Sequence, residues 1–371
     1  MFQRAIQETL EKSVKMFPVT FLTGPRQSGK TTLLKQLFPD FRYITLESPD
    51  QLAKIQSDPR DYLSSTTMWC IDEAQNFPEL FSYIQEFVDH QGYKFILSGS
   101  QNFLLFDKIT QSLAGRTAIL QLLPLSYPEY RTDAPDNFDH FLFHGSYPRV
   151  YHEKLDVHMW YQSYIATYLE RDIRTLSMVG DLVKFHNFIK LCAGRHGQLL
   201  NITALAVDAG VSQPTANHWL SILEASYIVF RLQPYFNNLG KRVVKTPKLY
   251  FYDTSLVCQL YGIENVEHMR MHSAYGSLFE GFVITEMIKE FLNKGRTPAV
   301  YFWRDHTGHE IDMMVERWGK LEAFEIKSSA TFSKKWLQGL SFFKSFDCRL
   351  NIVYKGKEQF QVQNINVLPA T

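Results

Sequence analysis

Residues 24–31 read Gly-Pro-Arg-Gln-Ser-Gly-Lys-Thr, a complete G-x-x-x-x-G-K-[ST] spacing set between an apolar run and a helix-forming segment. That setting suits the phosphates of a nucleoside triphosphate, because the amides of a helix N-terminus point at the anion. The candidate binding residues are Gly24, Pro25, Arg26, Gln27, Ser28, Gly29, Lys30, Thr31 and Thr32. Gly24 and Gly29 allow close backbone approach, Lys30 can reach the β- and γ-phosphates, and the Thr31 hydroxyl can ligate Mg²⁺. Further along, an apolar run ends in Asp72-Glu73. Asp72 is placed to hold Mg²⁺ through water and Glu73 to orient or activate the attacking water. A second constellation lies near the C-terminus, where Glu310–Arg317 and Lys320–Lys327 alternate in polarity around Trp318-Gly319. A hairpin with a two-residue turn sets Asp312 across from Glu325, with Glu310 and Lys327 on the same face and Ile311, Met313, Val315, Phe324 and Ile326 on the core face. Carboxylates opposed at roughly 4.5–5.5 Å repel unless a cation such as Mg²⁺ or Mn²⁺ lies between them.

Positioning the first constellation requires a parallel sheet. Phe17–Thr23, Tyr43–Leu46, Met68–Ile71, Phe95–Leu97 and Ala118–Leu123 are apolar runs separated by helix-length segments, and Thr31–Phe38 supplies the helix after the loop. Composition shifts at Arg131–His140, which reads as a linker, and the aromatics that follow, including Trp160, Tyr164 and Tyr168 with Leu169, have helical spacing. Ile202–Ala209, the turn at Gly210-Val211, and a helix opening at Ser212-Gln213-Pro214 form a helix-turn-helix, with Tyr227–Leu232 as a following strand. As a winged helix it presents Gln213, Thr215, Asn217 and His218 to a DNA groove. The second helix carries no Lys or Arg, so Lys241, Arg242, Lys245 and Lys248 are the better phosphate contacts.

With 371 residues, 45% apolar, the chain is long enough for two or three domains with substantial cores. The net charge of +1 provides no global attraction to nucleic acid. Met1–Met16 carries charges throughout and lacks the apolar stretch of a signal peptide or membrane span, so a cytoplasmic protein with no membrane partner is expected. Cys70, Cys192, Cys258 and Cys348 are scattered, which argues against a zinc site or disulfide framework.

The segments Gly24–Thr31, Trp69–Gln75, Ile96–Ser100 and Leu113–Arg116 together resemble the AAA+ ATPases, in the prokaryotic branch that carries a C-terminal nuclease-like domain. The resemblance implies ATP as the nucleotide, Ser100 as the polar sensor at the end of the fourth strand, and Arg116 as an arginine finger reaching a neighbouring subunit. An arginine suits that task because its guanidinium is always charged and planar; the plainer role for Arg116 is a cap at the helix C-terminus after Gly115. A finger in trans implies a homo-oligomer, in this family a ring.

Glu-Ile-Asp at 310–312 and Glu-Ile-Lys at 325–327 resemble the PD-(D/E)XK nuclease superfamily, with an upstream helix Gly276–Phe291. From that resemblance Asp312 and Glu325 bind the metal, Lys327 positions or activates water, and one helical glutamate completes the site. Glu280 and Glu286 lie about 120° apart around the helix axis and cannot both point at one metal, and Glu280 is favoured. The expected fold is α/β: a P-loop AAA+ parallel-sheet core at 1–130, a helical lid at 131–200, a winged helix at 201–272 and a restriction-endonuclease-like unit at 273–371. The expected function is a DNA-dependent ATPase or translocase, with branched DNA among its substrates, bearing a metal-dependent nuclease-like domain. The alternative is a nucleotide-driven regulatory switch in which that domain cuts nothing.

Overall fold

The computed structural model describes the chain except for Met1, Gln91, residues 101–112, 134–136, 170–181 and 237–243, Phe342, residues 344–346 and Thr371. The first unit is a five-stranded parallel sheet in the order β2-β3-β4-β1-β5. Its strands are β1 (Val19–Thr23), β2 (Arg42–Thr45), β3 (Met68–Asp72), β4 (Lys94–Gly99) and β5 (Thr117–Gln121), with helices α1 (Gln7–Met16), α2 (Lys30–Leu37), α3 (Pro49–Ser57), α4 (Pro59–Ser64) and α5 (Leu80–Val88). Apolar cores cover both faces, which is why these strands read as continuous apolar runs rather than alternating ones. Phe21, Trp69, Ile71 and Phe95 pack on one side. Leu22, Cys70, Ile96 and Leu120 pack on the other against Ile6 and Leu10 of the N-terminal segment.

The second unit continues through α6 (Tyr127–Arg131), α7 (Phe138–His144), α8 (Pro148–His152), α9 (Val157–Tyr164), α10 (Leu182–Ala193), β6 (Gln198–Leu199), α11 (Ile202–Asp208), α12 (Gln213–Ala225), β7 (Val229–Leu232), β8 (Lys248–Phe251), α13 (Thr254–Tyr261) and α14 (Val266–Met271). The segment expected as a linker is partly helical, since Asn137 caps α7 by accepting from the His140 amide. Trp160 and Tyr164 are core residues, whereas the side chains of Tyr168 and Leu169 lie outside the described set. Side-chain caps also open α11 and α12, where Asn201 and Ser212 accept from the amides of Ala204 and Thr215. Strands β6, β8 and β7 form a three-stranded sheet with β8 in the middle.

The third unit begins with α15 (Tyr275–Asn293), followed by β9 (Val300–Arg304), β10 (Glu310–Arg317), β11 (Lys320–Lys327), α16 (Leu337–Ser341), β12 (Cys348–Tyr354), β13 (Phe360–Val362) and β14 (Ile365–Pro369). These strands form a six-stranded sheet in the order β13-β14-β12-β11-β10-β9. One continuous core runs from Leu123 through the second-unit helices and α15 to Met313, Val315, Phe324 and Ile326 on the inner face of this sheet. The hairpin register is the expected one, pairing Met313 with Phe324 and Arg317 with Lys320. Trp318 and Gly319 both take positive φ, as a tight two-residue turn between twisted strands requires. The expected alternation fails at one point. Ile311 joins Trp303, Met314 and Ala323 in the outer core, because the ladder to β9 shifts between Ile311 and Met314. A bulge there changes the face on which the side chains before it lie.

Among the described residues no helix is long and apolar enough to cross a membrane. All four cysteines are unpaired, and Cys348 is only half-buried.

Candidate functional site

The phosphate loop leaves β1 with Gly24 at φ +150°, where an added Cβ would lie 2.2 Å from the Leu122 carbonyl oxygen. No other residue fits that approach. Gln27 and Gly29 also take positive φ, and Gly29 opens α2 without a side-chain cap, so the first helix amides have no side chain over them. Arg4 supports the loop from the N-terminal segment. Its guanidinium donates to the carbonyls of Ser28 (2.7 Å) and Leu123 (2.6 Å) and lies 3.3 Å from Glu129. A cavity of about 600 Å³ opens beside the loop, lined by Arg26, Gln27 and Gly29 to Thr32, by Glu73, and by Phe2, Leu33, Pro148, Arg149, His152 and Tyr164. That volume and mixture of apolar and polar walls suit a nucleotide.

Lys30 is buried and donates to the carbonyls of Gly24 and Pro25, each at 2.9 Å. Burial pulls its amine down to about 8, with Glu73 and Asp72 opposing. Asp72, at the end of β3, receives hydrogen bonds from the hydroxyls of Thr31 (2.6 Å), Tyr43 (2.9 Å) and Ser98. Thr31 and Asp72 therefore stand where a magnesium ion could be held between a hydroxyl and a carboxylate, and the donor set, oxygen throughout, fits that ion. Glu73 follows in a left-handed conformation, and burial raises its carboxyl above the usual range. Gln75 joins it to Ser100, donating to the Glu73 carboxylate and to Ser100 Oγ (3.2 Å). Gly99 makes room for Gln75, whose Oε1 would lie 2.3 Å from an added Cβ. Lys30, Thr31, Asp72, Glu73 and Ser100 thus cluster at the carboxyl ends of the strands. Arg116 does not join them. It precedes β5, which runs parallel to β1, so it sits at the opposite end of the sheet and pairs with Asp89 at 2.9 Å on the surface. Arg4, Tyr43 and Gln75 were not read as site residues from the sequence; only Gln75 lay within a quoted motif.

The second constellation also assembles, around an unexpected residue. Helix α15 supplies Glu280, β10 supplies Glu310 and Asp312, and β11 supplies Glu325 and Lys327. Lys327 Nζ lies 2.5 Å from Glu325 and 4.0 Å from Asp312, whose other contact is the Ile326 amide at 2.7 Å. Lys248 stands between the carboxylates. Its Nζ is 3.1 Å from Glu280 and also pairs with Glu310, which Arg304 holds from the other side at 3.0 Å. Burial works against the charge on Lys248, but Glu280, Glu310 and Asp312 outweigh it and hold the amine above the ordinary lysine value. Burial raises the carboxyls of Glu280, Asp312 and Glu325. The expected DNA-phosphate role for Lys248 is therefore corrected: it is buried at 3% exposure and its charge is spent inside the protein. Lys241 and Arg242 lie outside the described residues, and Lys245 is exposed. Glu286 is committed elsewhere, accepting from the Tyr127 amide and from Lys289, which also donates to the Leu125 carbonyl. A divalent ion does not fit between Glu280 and Glu310 as they stand, because Lys248 occupies that space, and Lys327 is the cation beside Asp312 and Glu325. Among the described residues no group of three or more His, Cys, Asp and Glu converges as a metal-ligand set.

An AAA domain matches residues 16–131. Two domains of unknown function, DUF8612 and DUF4143, match residues 135–267 and 275–371. Uncharacterized proteins of Mycobacterium tuberculosis and Mycobacterium bovis are each 31% identical to this chain over 361 residues, covering 96% of it and 80% of their own length. Among solved structures, a Walker-type ATPase of Pyrococcus abyssi aligns at 17% identity and a TM-score of 0.49, over 70% of this chain and 96% of its own. An Orc1 protein of Aeropyrum pernix, solved in complex with DNA, aligns at 12% identity and a TM-score of 0.31, over 71% of this chain and 93% of its own. Neither score is high enough to establish a shared fold, so the assignment rests on the phosphate-loop site, the AAA-domain match and the two mycobacterial relatives. The chain belongs to the family of P-loop ATPases with an AAA domain that includes these two mycobacterial proteins.

Proposed function

We propose that this protein is an oligomeric, ATP-hydrolysing switch that engages DNA through a winged helix and carries a C-terminal unit of PD-(D/E)XK nuclease-like fold. The observation that carries the reading is the convergence of Lys30, Thr31 and Glu73 on one cavity of nucleotide size, with Asp72 hydrogen-bonded to Thr31. In this mechanism the triphosphate draws Lys30 from the carbonyls of Gly24 and Pro25 to its own oxygens. Thr31 and Asp72 would hold a magnesium ion, which would supply charge neutralisation to the triphosphate. Glu73 takes the proton of the attacking water while Ser100, tied to it through Gln75, orients that water. Arg116 cannot reach its own phosphate loop, so it serves a neighbouring subunit, and hydrolysis requires a homo-oligomer of ring type.

The order of α10, β6, α11, α12, β7 and β8 supports a winged helix. Gln213, Asn217 and His218 are exposed on α12, with Thr215 half-buried beside them and Lys245 available to phosphate. A second reading, a metal-dependent nuclease, is favoured by the meeting of Glu280, Asp312, Glu325 and Lys327 in one cluster. Lys248 in the midst of those acids disfavours it in this state. The deciding experiment is steady-state ATP hydrolysis, alone and with duplex, single-stranded and four-way-junction DNA at one fixed salt concentration. Stimulation by one DNA form supports the DNA-engaging switch; hydrolysis indifferent to all of them rejects the DNA role and leaves a switch acting on another partner.

A further inference from the structure

The acids of the third unit meet a cation that comes from the second. Lys248 is the first residue of β8, the middle strand of the three-stranded sheet, paired on one side with Leu199 and on the other with Leu232. Both backbone neighbours fix its origin, and its side chain passes 5.6 Å from the Phe302 ring to end among Glu280, Glu310 and Asp312. The approach of α15 to β8 is built in. At Gly281 an added Cβ would lie 2.4 Å from His196 Nε2 and 3.2 Å from Tyr250, so only glycine lets the helix come close enough to bring Glu280 to the lysine.

We propose that Lys248 is the internal counter-ion of the C-terminal carboxylate cluster, standing in the place a divalent cation would take, so that the protein binds no metal there until Lys248 is removed. The inference rests on reading the third unit as nuclease-like. A divalent ion needs oxygens at about 2.0–2.6 Å from its centre. The ammonium, 3.1 Å from Glu280 and paired with Glu310, already fills the space between those two acids. Neighbouring donors reinforce the arrangement: Arg304 holds the second oxygen of Glu310, Tyr250 shares the Glu280 oxygen that meets Lys248, and the Ile326 amide donates to Asp312. A metal and the ammonium cannot share the position, and β8 pairing fixes the backbone from which the lysine reaches it. The cluster thereby clamps the second unit to the third, and its charge is balanced by the chain itself.

The test is Mn²⁺ binding to the full chain, followed by electron paramagnetic resonance and by thermal stabilisation, in an Asp72→Asn background that silences the phosphate-loop site. Lys248→Met is expected to bind Mn²⁺ roughly tenfold tighter than the Lys248 parent, since Glu280 then loses its cation and Glu310 and Asp312 keep only Arg304 and Lys327. Asp312→Asn added to Lys248→Met is expected to abolish that binding, and Lys248→Arg to leave the cluster metal-free. Mn²⁺ binding by the Lys248 parent that disappears on Asp312→Asn overturns the proposal, whether or not Lys248→Met folds. So does a folded Lys248→Met that gains no affinity. ATP turnover of the Lys248 variants in the native Asp72 chain tests the proposed switch separately, and plasmid nicking by Lys248→Met in Mn²⁺ tests the nuclease reading.

Discussion

Two buried lysines in this molecule each lie close to acids, yet burial and charge move them in opposite directions. Lys30 is drawn down to about 8, while Lys248 is held above the ordinary lysine value. The difference lies in what each ammonium touches. Lys30 rests on the neutral carbonyls of Gly24 and Pro25, and Asp72 beside it is satisfied by the hydroxyls of Thr31, Tyr43 and Ser98. Neutral partners leave charge unspent, so the phosphate loop is poised for a polyanion with its cation. Lys248 touches carboxylates directly and is itself their cation. Carboxylates at strand ends are thus not one kind of site: the charge of their nearest neighbours decides whether they await a ligand or hold the fold together.

The most severe way to break the comparison is at the phosphate loop. Lys30→Ala should lower ATP turnover by roughly a thousandfold, because it removes the loop lysine placed to reach the phosphates. Steady-state kcat/KM alongside equilibrium nucleotide binding measures it, and a variant with near-parental kcat/KM would mean that Lys30 is structural like Lys248. Glu73→Gln is the next largest. It should retain nucleotide binding and lose roughly a hundredfold in kcat, since the amide cannot accept a proton from water. A Glu73→Gln enzyme that loses affinity instead of kcat would move the water-activating role away from Glu73.

The first site was legible in the sequence because its parts are local. A loop spacing, the strand before it and the helix after it lie within one contiguous stretch, and Asp72-Glu73 ends a strand whose apolar run is visible unaided. The hairpin register was legible for the same reason: Trp318-Gly319 sets a tight turn, and the turn sets every pair from Arg317–Lys320 to Met313–Phe324. Lys248 was not legible. It sits in a basic stretch that reads as contacts to DNA phosphate, and only the packing of α15 onto β8 reveals that it points inward. Ile311 was misplaced because a bulge against β9 leaves no local signature. Arg4 reaches the phosphate loop from the opposite end of a sequence separation that no spacing rule spans.

Stability measurements sharpen the comparison at the second site. Without added metal, Lys248→Ala should cost about 3 kcal/mol, because it strands Glu280 and Glu310 in a poorly solvated cluster. Their side chains are only 18% and 25% exposed and that of Lys248 is 4%, so solvent offers limited relief. Adding Glu310→Gln to Lys248→Ala should recover part of that loss in urea unfolding, as expected for coupled charges. Independent, additive costs would show that Lys248 contributes packing rather than charge.

The smallest effect concerns pH, and it separates the second site from the first. His196 is buried against α15, accepting from the Phe251 amide and contacting the Ser277 carbonyl at 3.1 Å, and burial lowers its value to about 4. The folded state therefore binds its proton less readily than the unfolded chain. The stability this residue supports is complete above the ordinary histidine value and is lost as pH falls from about 6.5 toward 4, by up to about 3 kcal/mol. His140 and His144, stacked 3.7 Å apart, are also lowered and act in the same sense. The raised carboxyls of Glu280, Asp312 and Glu325 oppose it, because the folded state takes up their protons first as pH falls. Comparing the parent with His196→Gln isolates the histidine, since glutamine can accept from Phe251 and donate to Ser277 without titrating. The loss of stability between pH 7 and pH 4.5 should be smaller in His196→Gln, while its nucleotide binding at pH 7 should match the parent, because His196 lies at the junction of β8 and α15 and not at the phosphate loop. Equal acid sensitivity in parent and variant would place the labile protonation elsewhere and remove His196 from the set of groups that hold α15 against Lys248.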